Sequence, residues 1–566
     1  MRSRRTTRIA SVLALLLGAA LAGGGVAQGH EERESEFPDG SGTVPTLRTI
    51  DEADDVVVVC KPDSGRRIGR EISDPQVRAV NARLLGQCEF EHIQAAVEHV
   101  RDNGVAGTNI YVLPGLYLEE PSREAACNAE YDGGVVEYED LYDCPTMTQL
   151  VGIMGDDPAD EDLKCDNALC RLQIEGTGDD PEDVIIRGGF KDDGDWIDQH
   201  NGIKADRADG IYIRNLTTEL FRENSIYVHE TDGYALDRTN TRKNDLYGIL
   251  TFASDHGVIR DCEASFNGDS GIYPGSPSDV NADNDETGPL ERFAVEVFGC
   301  RSHHNALGHS GTAGNSIYLH DNEWFANSAG IVVDSFVPDH PGMPQDHLWV
   351  RNNRIYGNNA NYYREFVHSG ICDKPPAERG YEDGTVCPVF PVPVGTGIMI
   401  AGGNHNLVEQ NEIYDNWRQG VMQFWVPAIF REEPDPSRQF DTSHFNHYVD
   451  NTMGLSPDGL TQPNGLDFWW DDEGEGNCWQ GNTSTAAEDG SPTDNATDPR
   501  GVPACDGGGS AFTPSNPVKS AGLAPCAPYD REDNPDPPGC DWFDDPEEPE
   551  GREAAGGAAD DGEPQA

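Results

Sequence analysis

Lys204, Tyr227 and His229 are the side chains of this sequence best suited to moving a proton. Each can do so only where its surroundings bring its proton affinity toward the working pH. They recur in step: Lys204 and Tyr227 are 23 residues apart, and so are Asp206 and His229. Arg207 and Glu230 follow directly, and Phe252, Tyr273 and Asp334 continue the two series. Arg207, Arg214, Arg222, Arg238, Arg242 and Lys243 make the stretch locally basic within an acidic chain, which suits holding a carboxylate. Such a set supports removal of a proton next to a carboxylate. Lys204, His229 and Tyr227 would be base or donor; Asp206, Arg207, Glu230, Phe252, Tyr273 and Asp334 would hold the ligand. The plain alternative is a solvated face whose mixed residues carry no function.

The step comes from a repeat. Between 201 and 424 the segments TNTRKN (239–244), CEASFN (262–267), CRSHHN (300–305), NEWFAN (322–327), NRIYGN (353–358) and NEIYDN (411–416) each close on asparagine. A glycine followed by Ile or Val comes after most of them, as at 248–249, 271–272 and 330–331. A period of about 23 with short apolar runs marks a solenoid. Ile331 and Val333 alternate with Val332 and Asp334, which is strand period. The leucines of leucine-rich repeats and the helical period of ankyrin-type repeats are both missing. The expected fold is an all-β parallel β-helix whose coils stack about 4.8 Å apart. Asn215, Thr239, Cys262, Cys300, Asn322, Asn353 and Asn411 then form one column at a bend. Their amides would satisfy groups that the turn leaves unpaired. Lys204, Tyr227, Leu250, Tyr273, Val332, Met399 and Met422 form one outward column. Asp206, His229, Phe252, Gly275, Asp334, Ala401 and Phe424 form the next.

The same frame sets Cys262 and Cys300 at one bend position of consecutive coils, with Cα atoms about 5 Å apart. A disulfide accepts that separation; the alternative is two reduced cysteines filling ladder slots. A second bond, Cys372 to Cys387, would tie a loop.

The chain has 566 residues, 40 basic against 101 acidic, and a net charge of −61. Nucleic acid and anionic membrane are poor partners for that field. Residues 1–27 read as a secretory signal: four arginines by position 8, an apolar run from Ile9 to Ala22, and small residues before 28. Fourteen cysteines in an exported chain favour disulfides. Residues 28–54 read as a linker, 55–121 as a cap with the first coil, and 122–182 as a cysteine-containing insertion. Residues 183–430 form the coiled core and 431–482 a closing segment. Residues 483–566 read as an acidic, low-complexity tail, largely without fixed structure. No stretch after the signal is long and apolar enough to span a membrane.

The helical face Phe90, Ile93, Val97 and Val100 would cover the open end of the solenoid. Ile-Gln-Ala-Ala-Val (93–97), followed by Ile-Tyr-Val-Leu-Pro-Gly-Leu-Tyr (110–117), resembles the start of the pectin-lyase-like right-handed β-helix superfamily. The stretches around 464–471 and 476–479 resemble the C-terminal segment of secreted actinobacterial β-helix proteins. The resemblance covers about 88–425 and implies a right-handed coil with an N-terminal capping helix. It implies a glycan groove along one outward sheet face, and is specific for fold rather than chemistry, since that superfamily holds lyases, hydrolases, esterases, epimerases and non-enzymes.

Three insertions, 275–290, 335–347 and 361–395, flank one strand column and would wall such a groove. Asp279, Asn281, Asp283, Asp285 and Glu286 alternate like a calcium loop but lack its glycine. A solvated acidic loop is the alternative. His303, His304, His309 and His320 near Cys300 could ligate a metal, or His303 could stack on Phe325, Tyr356 and Tyr414. The expected function is a secreted β-helix protein that binds or processes extracellular polysaccharide, by a lyase or epimerase reaction if it is an enzyme. The alternatives are a non-catalytic binding solenoid and a copper-delivery type of accessory protein.

Overall fold

The computed structural model describes residues 33–119, 136–159, 163–338, 340–497 and 501–553. The expected signal at 1–27 and Cys127 lie outside them. The chain winds as a right-handed parallel β-helix. Among the described residues, one sheet has ten strands in the order of the chain, all parallel. They are β1 (Gln149–Met154), β2 (Asn201–Asp206), β3 (Asn224–His229), β4 (Tyr247–Phe252), β5 (Ser270–Gly275), β6 (Leu307–His309), β7 (Ala329–Asp334), β8 (Thr396–Ala401), β9 (Gln419–Phe424) and β10 (Phe468–Trp470). The other sheet has 21 strands among the described residues and carries two strand columns. Ile211–Glu219 and Asp232–Arg242 run through both columns, and later coils split into pairs such as Asp255–Arg260 and Glu263–Ser265.

Asparagines hold the corners. At one corner Asn322 N and Nδ2 donate to Asn353 Oδ1 (3.1 and 3.0 Å), and Asn353 donates likewise to Asn411 Oδ1 (2.9 and 3.1 Å). Asn411 continues to Asn451 and Asn451 to Asn482. At the next corner Asn244, Asn267, Asn305, Asn327, Asn358, Asn416 and Asn464 form a second ladder. The residue before a rung is often left-handed, as at Asp321, Asn352 and Gln410 (φ 55°, 54° and 56°). Asn215 departs from the expected column. Register pairs Thr239 with Leu216, so Asn215 occupies the left-handed corner one residue earlier, φ 53°.

Cys262 and Cys300 are bonded in the first ladder, with Cα atoms 4.5 Å apart, and Cys372–Cys387 closes a 15-residue separation. The described residues also hold Cys60–Cys88, Cys165–Cys170, Cys478–Cys505 and Cys526–Cys540. The helix Ile93–Asn103 lays Ile93, Ala96, Val97 and Val100 on the end of the core.

Three expected boundaries change. The stretch read as an insertion contains β1, whose Val151 pairs with Ile203, and Gln173–Gly176, which pairs with Thr108–Val112. Its strands were hidden because the loops between them lengthen the period. The stretch read as a linker lies on the solenoid from Arg33 to Arg48. The tail, expected to lack fixed structure, packs through 501–553: Tyr529, Trp542 and Phe543 are buried against the outward face of the ten-stranded sheet. Arg531 pairs with Asp245 and Arg552 with Asp415. Composition concealed this because few apolar residues suffice when they dock on an existing apolar surface.

In the closing segment Glu473 is fully buried and neither carboxyl oxygen has a hydrogen-bond partner among the described residues. Burial, then Asp471 and Asp441, push it up to about 10.

Two outcomes follow for stability. Asn353→Ala would strand the Asn322 and Trp324 donors and the Leu319 carbonyl, and should cost about 3 kcal/mol in urea unfolding. Asn482→Ala, at the partly exposed end of the ladder, should cost less than half as much. Between the ordinary glutamate value and about 10, the folded chain keeps a proton on Glu473 that the unfolded chain releases. Stability from this group is therefore full in acid and falls as pH rises. Glu473→Gln should gain more than about 2 kcal/mol at pH 8 and nothing at pH 4, read from unfolding curves at the two pH values.

Candidate functional site

The outward columns exist. Lys204 lies beside Tyr227 and Asp206 beside His229, on β2 and β3. Tyr227 is followed by Leu250 and Tyr273, and His229 by Phe252, on β4 and β5. The strand ends turn sharply: Arg207 (φ 49°) and Glu230 (φ 44°) are left-handed, which swings their side chains together, Arg207 Nε to Glu230 Oε2 at 2.9 Å.

Asp206 is the hub. Lys204 Nζ is 3.6 Å from its Oδ2 and His229 Nδ1 is 3.4 Å from the same oxygen. The Lys204 ammonium sits 4.8 Å from the centre of the Tyr227 ring, and that ring stacks on His229 at 5.2 Å. Burial alone would push the Asp206 carboxyl up. Arg33, His229 and Lys204 outweigh it and hold the carboxyl well below the usual carboxylate range. Burial, then the Arg33 guanidinium, hold His229 below its ordinary value. Burial opposes ionisation of Glu230, but His229 and Arg33 keep it lowered.

The expected open groove is covered here. Lys204, Asp206, Tyr227 and His229 are each 0% exposed, and Glu230, Phe252, Tyr273 and Asp334 are buried as well. The cover is the N-terminal segment. Arg33 Nη1 reaches Glu230 Oε1 at 2.6 Å and Nη2 reaches Asp206 Oδ1 at 2.8 Å. Ser35 Oγ lies 2.8 Å from His229 Nε2, and Glu36 N donates to Glu230 Oε1. Phe37 packs on the cluster of Tyr227, Tyr247, Leu250, Phe252 and Tyr273. Tyr138 and Asp156 close the other flank: Arg207 lies 4.2 Å over the Tyr138 ring and pairs with Asp156 at 2.8 Å.

Sequence reasoning missed Arg33, Tyr138 and Asp156 because none falls in the repeat. A lone arginine between Glu32 and Glu34 was the available hint for the first. Asp334 is on β7, five strand spacings from Asp206 and so about 24 Å away. It does not share a sugar-sized site with the others. It accepts from Thr312 Oγ1 at 2.8 Å, and burial pushes it up to about 6.

The three loops differ in placement. His340, in 335–347, meets Phe252 edge-on at 5.2 Å and lies 3.5 Å from the Tyr273 hydroxyl. Tyr363, Val386 and Val392, in 361–395, cover Val332, Met399 and Met422 further along the same face. The loop 275–290 instead follows the corner, where Asn281 donates to Ser316 and Thr287 to the Phe445 carbonyl. A cleft of about 680 Å³ lies beside the start of β9, lined by Trp417, Arg418 and the acidic stretch 541–551, away from these residues.

The suspected metal ligands do not gather as a set: His303 Nδ1 lies 2.7 Å from His304 Nδ1, and the His304 ring stacks on Phe266. His303 stacks on Phe325 at 4.9 Å, with Tyr356 and Tyr414 beyond at 5.1 and 5.0 Å. His309 falls in the inward column with Ile272 and Ile331 and meets Trp324 edge-on. Asp279, Asp283, Asp285 and Glu286 form no group of converging ligands among the described residues. Asp232, Asp255 and His256 do converge. Arg292 Nη2 already takes the cation position there, 2.7 Å from Asp255 Oδ2 and 2.9 Å from His256 Nε2.

No protein-family description matches the chain, and no curated protein matches it in sequence. Several solved structures are similar in shape. The A-module of a mannuronan C-5 epimerase from Azotobacter vinelandii aligns at 12% identity over 70% of this chain and 84% of that one, TM-score 0.40. A pectate lyase aligns at 11% identity over 79% of each chain, TM-score 0.33. A tailspike protein of the E. coli bacteriophage HK620, in complex with a pentasaccharide, aligns at 10% identity over 79% of this chain and 66% of that one, TM-score 0.40.

Because Lys204 is fully buried against Asp206, it contributes to stability as well as to any chemistry. Lys204→Met, which keeps the stem and removes the charge, should cost about 3 kcal/mol in denaturant unfolding. Arg301→Ala, at a half-exposed pair on the other sheet, should stay within about 0.5 kcal/mol of the parent.

Proposed function

We propose that this protein is exported and processes an extracellular polysaccharide that carries carboxylates, removing the proton on the carbon next to the carboxylate as a lyase or epimerase does. The observation that carries the reading is the packing of Lys204, Tyr227 and His229 around one ionised Asp206. With Arg33 withdrawn from Nδ1, the neighbouring Asp206 carboxylate favours the imidazole tautomer that leaves Nε2 as the base. Nε2 points to the side where Ser35 now sits, which is the outward side of the sheet. The Tyr227 phenol, with the Lys204 ammonium over its ring, is placed to return a proton. Arg207 and Lys204 supply positive charge for the substrate carboxylate. Oxidised cysteines throughout the described residues fit an extracellular setting, and none of the described helices is long and apolar enough to cross a membrane.

A second reading has one specific observation in its favour. Complete burial of the four central residues suits a non-catalytic binding solenoid in which this network only fastens the N-terminal segment.

The two readings separate in an assay on an Arg33→Ala parent, whose covering segment has lost its ion pairs. Uronate polymers should gain the ultraviolet absorbance of unsaturated ends, or take up deuterium from heavy water at the carbon next to the carboxylate. His229→Gln and Tyr227→Phe in that parent should lower the rate by about 100-fold or more, with little change in melting temperature. Absence of both signals across a panel of uronate polymers that bind the protein would favour the second reading.

A further inference from the structure

We infer that residues 33–43 are a displaceable plug that keeps this site closed, a built-in inhibitor that must leave before substrate enters. The inference rests on the reading of Lys204, Tyr227 and His229 as a working site. The plug engages both nitrogens of the His229 ring: Arg33 Nη2 lies 3.4 Å from Nδ1, and Ser35 Oγ lies 2.8 Å from Nε2. While it is seated, His229 has no nitrogen free to accept a proton from a substrate. Phe37 fills the apolar patch over Tyr227 and Tyr273 that a sugar ring would need.

The segment is fitted to its seat. Gly42 N donates to Asp232 Oδ2 at 2.7 Å, and a Cβ on Gly42 would come 2.5 Å from Asp232 Cγ. Facing it, a Cβ on Gly233 would come 2.4 Å from the Thr43 carbonyl oxygen. Such mutual close approach through glycine on both sides marks a docked surface rather than a passing loop.

The seat also permits release. Residues 33–49 form no helix or strand, and apart from the Arg33 side chain, which is 5% exposed, they are half-buried or exposed, in contrast with the coils beneath. Opening therefore breaks side-chain contacts and leaves both sheets intact. Arg33 Nε is buried with no hydrogen-bond partner among the described residues. A second anchor, Arg48 on Asn109 and Gln173, holds the chain when the first part lifts. Between the anchors run Pro38, Gly40, Gly42 and Pro45, with Val44 and Leu47 41% and 38% exposed. Such a stretch is open to proteolytic nicking.

The test reads access to His229 separately from catalysis. The full chain, Arg33→Ala and Gly42→Val are treated with diethyl pyrocarbonate, and His229 and the exposed His368 are followed by peptide mass spectrometry. His229 should react slowly in the parent chain and about tenfold faster in both variants, with His368 unchanged. Gly42→Val touches none of the proposed catalytic residues, so it guards against a local effect of losing Arg33. Equal, slow labelling of His229 in both variants, or fast labelling in the parent, would overturn the plug. Fast labelling in the variants without turnover of any uronate polymer would keep the plug and reject the catalytic reading.

Discussion

Side-chain amides stacked at the coil corners are the constraint on which the rest of this molecule depends. Each rung closes two backbone groups of its neighbour, as Asn353 does by taking the Asn322 amide and giving its own to the Leu319 carbonyl. That geometry works only when successive coils are one strand spacing apart. It also offsets the cost of placing residues such as Asp321 and Gln410 in left-handed corners. Where sulfur replaces amide, as at Cys262 and Cys300, a covalent bond holds the same spacing.

A lattice this regular turns a sequence interval into a contact. Lys204 meets Tyr227, and Asp206 meets His229, because 23 residues make one coil there. The strands fix the backbones, so the Lys204, His229 and Asp206 side chains converge without a dedicated loop. The charge state then follows from burial: an ionised Asp206 deep in the protein requires cations close by, and Lys204 and Arg33 supply them.

The outward face of the ten-stranded sheet behaves as a second core. Val332, Met399, Met422 and Phe424 are apolar where a solvated face would be polar, and the tail and the loop 361–395 cover them. Toward the N-terminus the face is polar, and an arginine-bearing segment covers it instead. In a chain so acidic, the few cations serve as clasps: Arg33 at one end, Arg531 on Asp245, Arg552 on Asp415. The tail docks through Tyr529, Trp542 and Phe543, and the ion pairs fasten it beside that apolar contact.

The sequence by itself determined the parallel coil, the outward columns and the corner shared by Cys262 and Cys300, and it put His303 in one column with Phe325. All of these are functions of a repeating interval, and a repeat of fixed pitch converts position into geometry. The tertiary structure alone decided what lies over the face. Arg33, Tyr138, Tyr529 and Trp542 come from outside the repeat, and no interval links them to Lys204 or Met399. It also placed Asn215 one residue off the ladder, because a corner residue's left-handed conformation is chosen by packing that the polar pattern does not record. Whether Lys204 and His229 face solvent or lie buried depended on those non-repeating segments, since a strand's alternation sets which side a residue takes and says nothing about what covers that side.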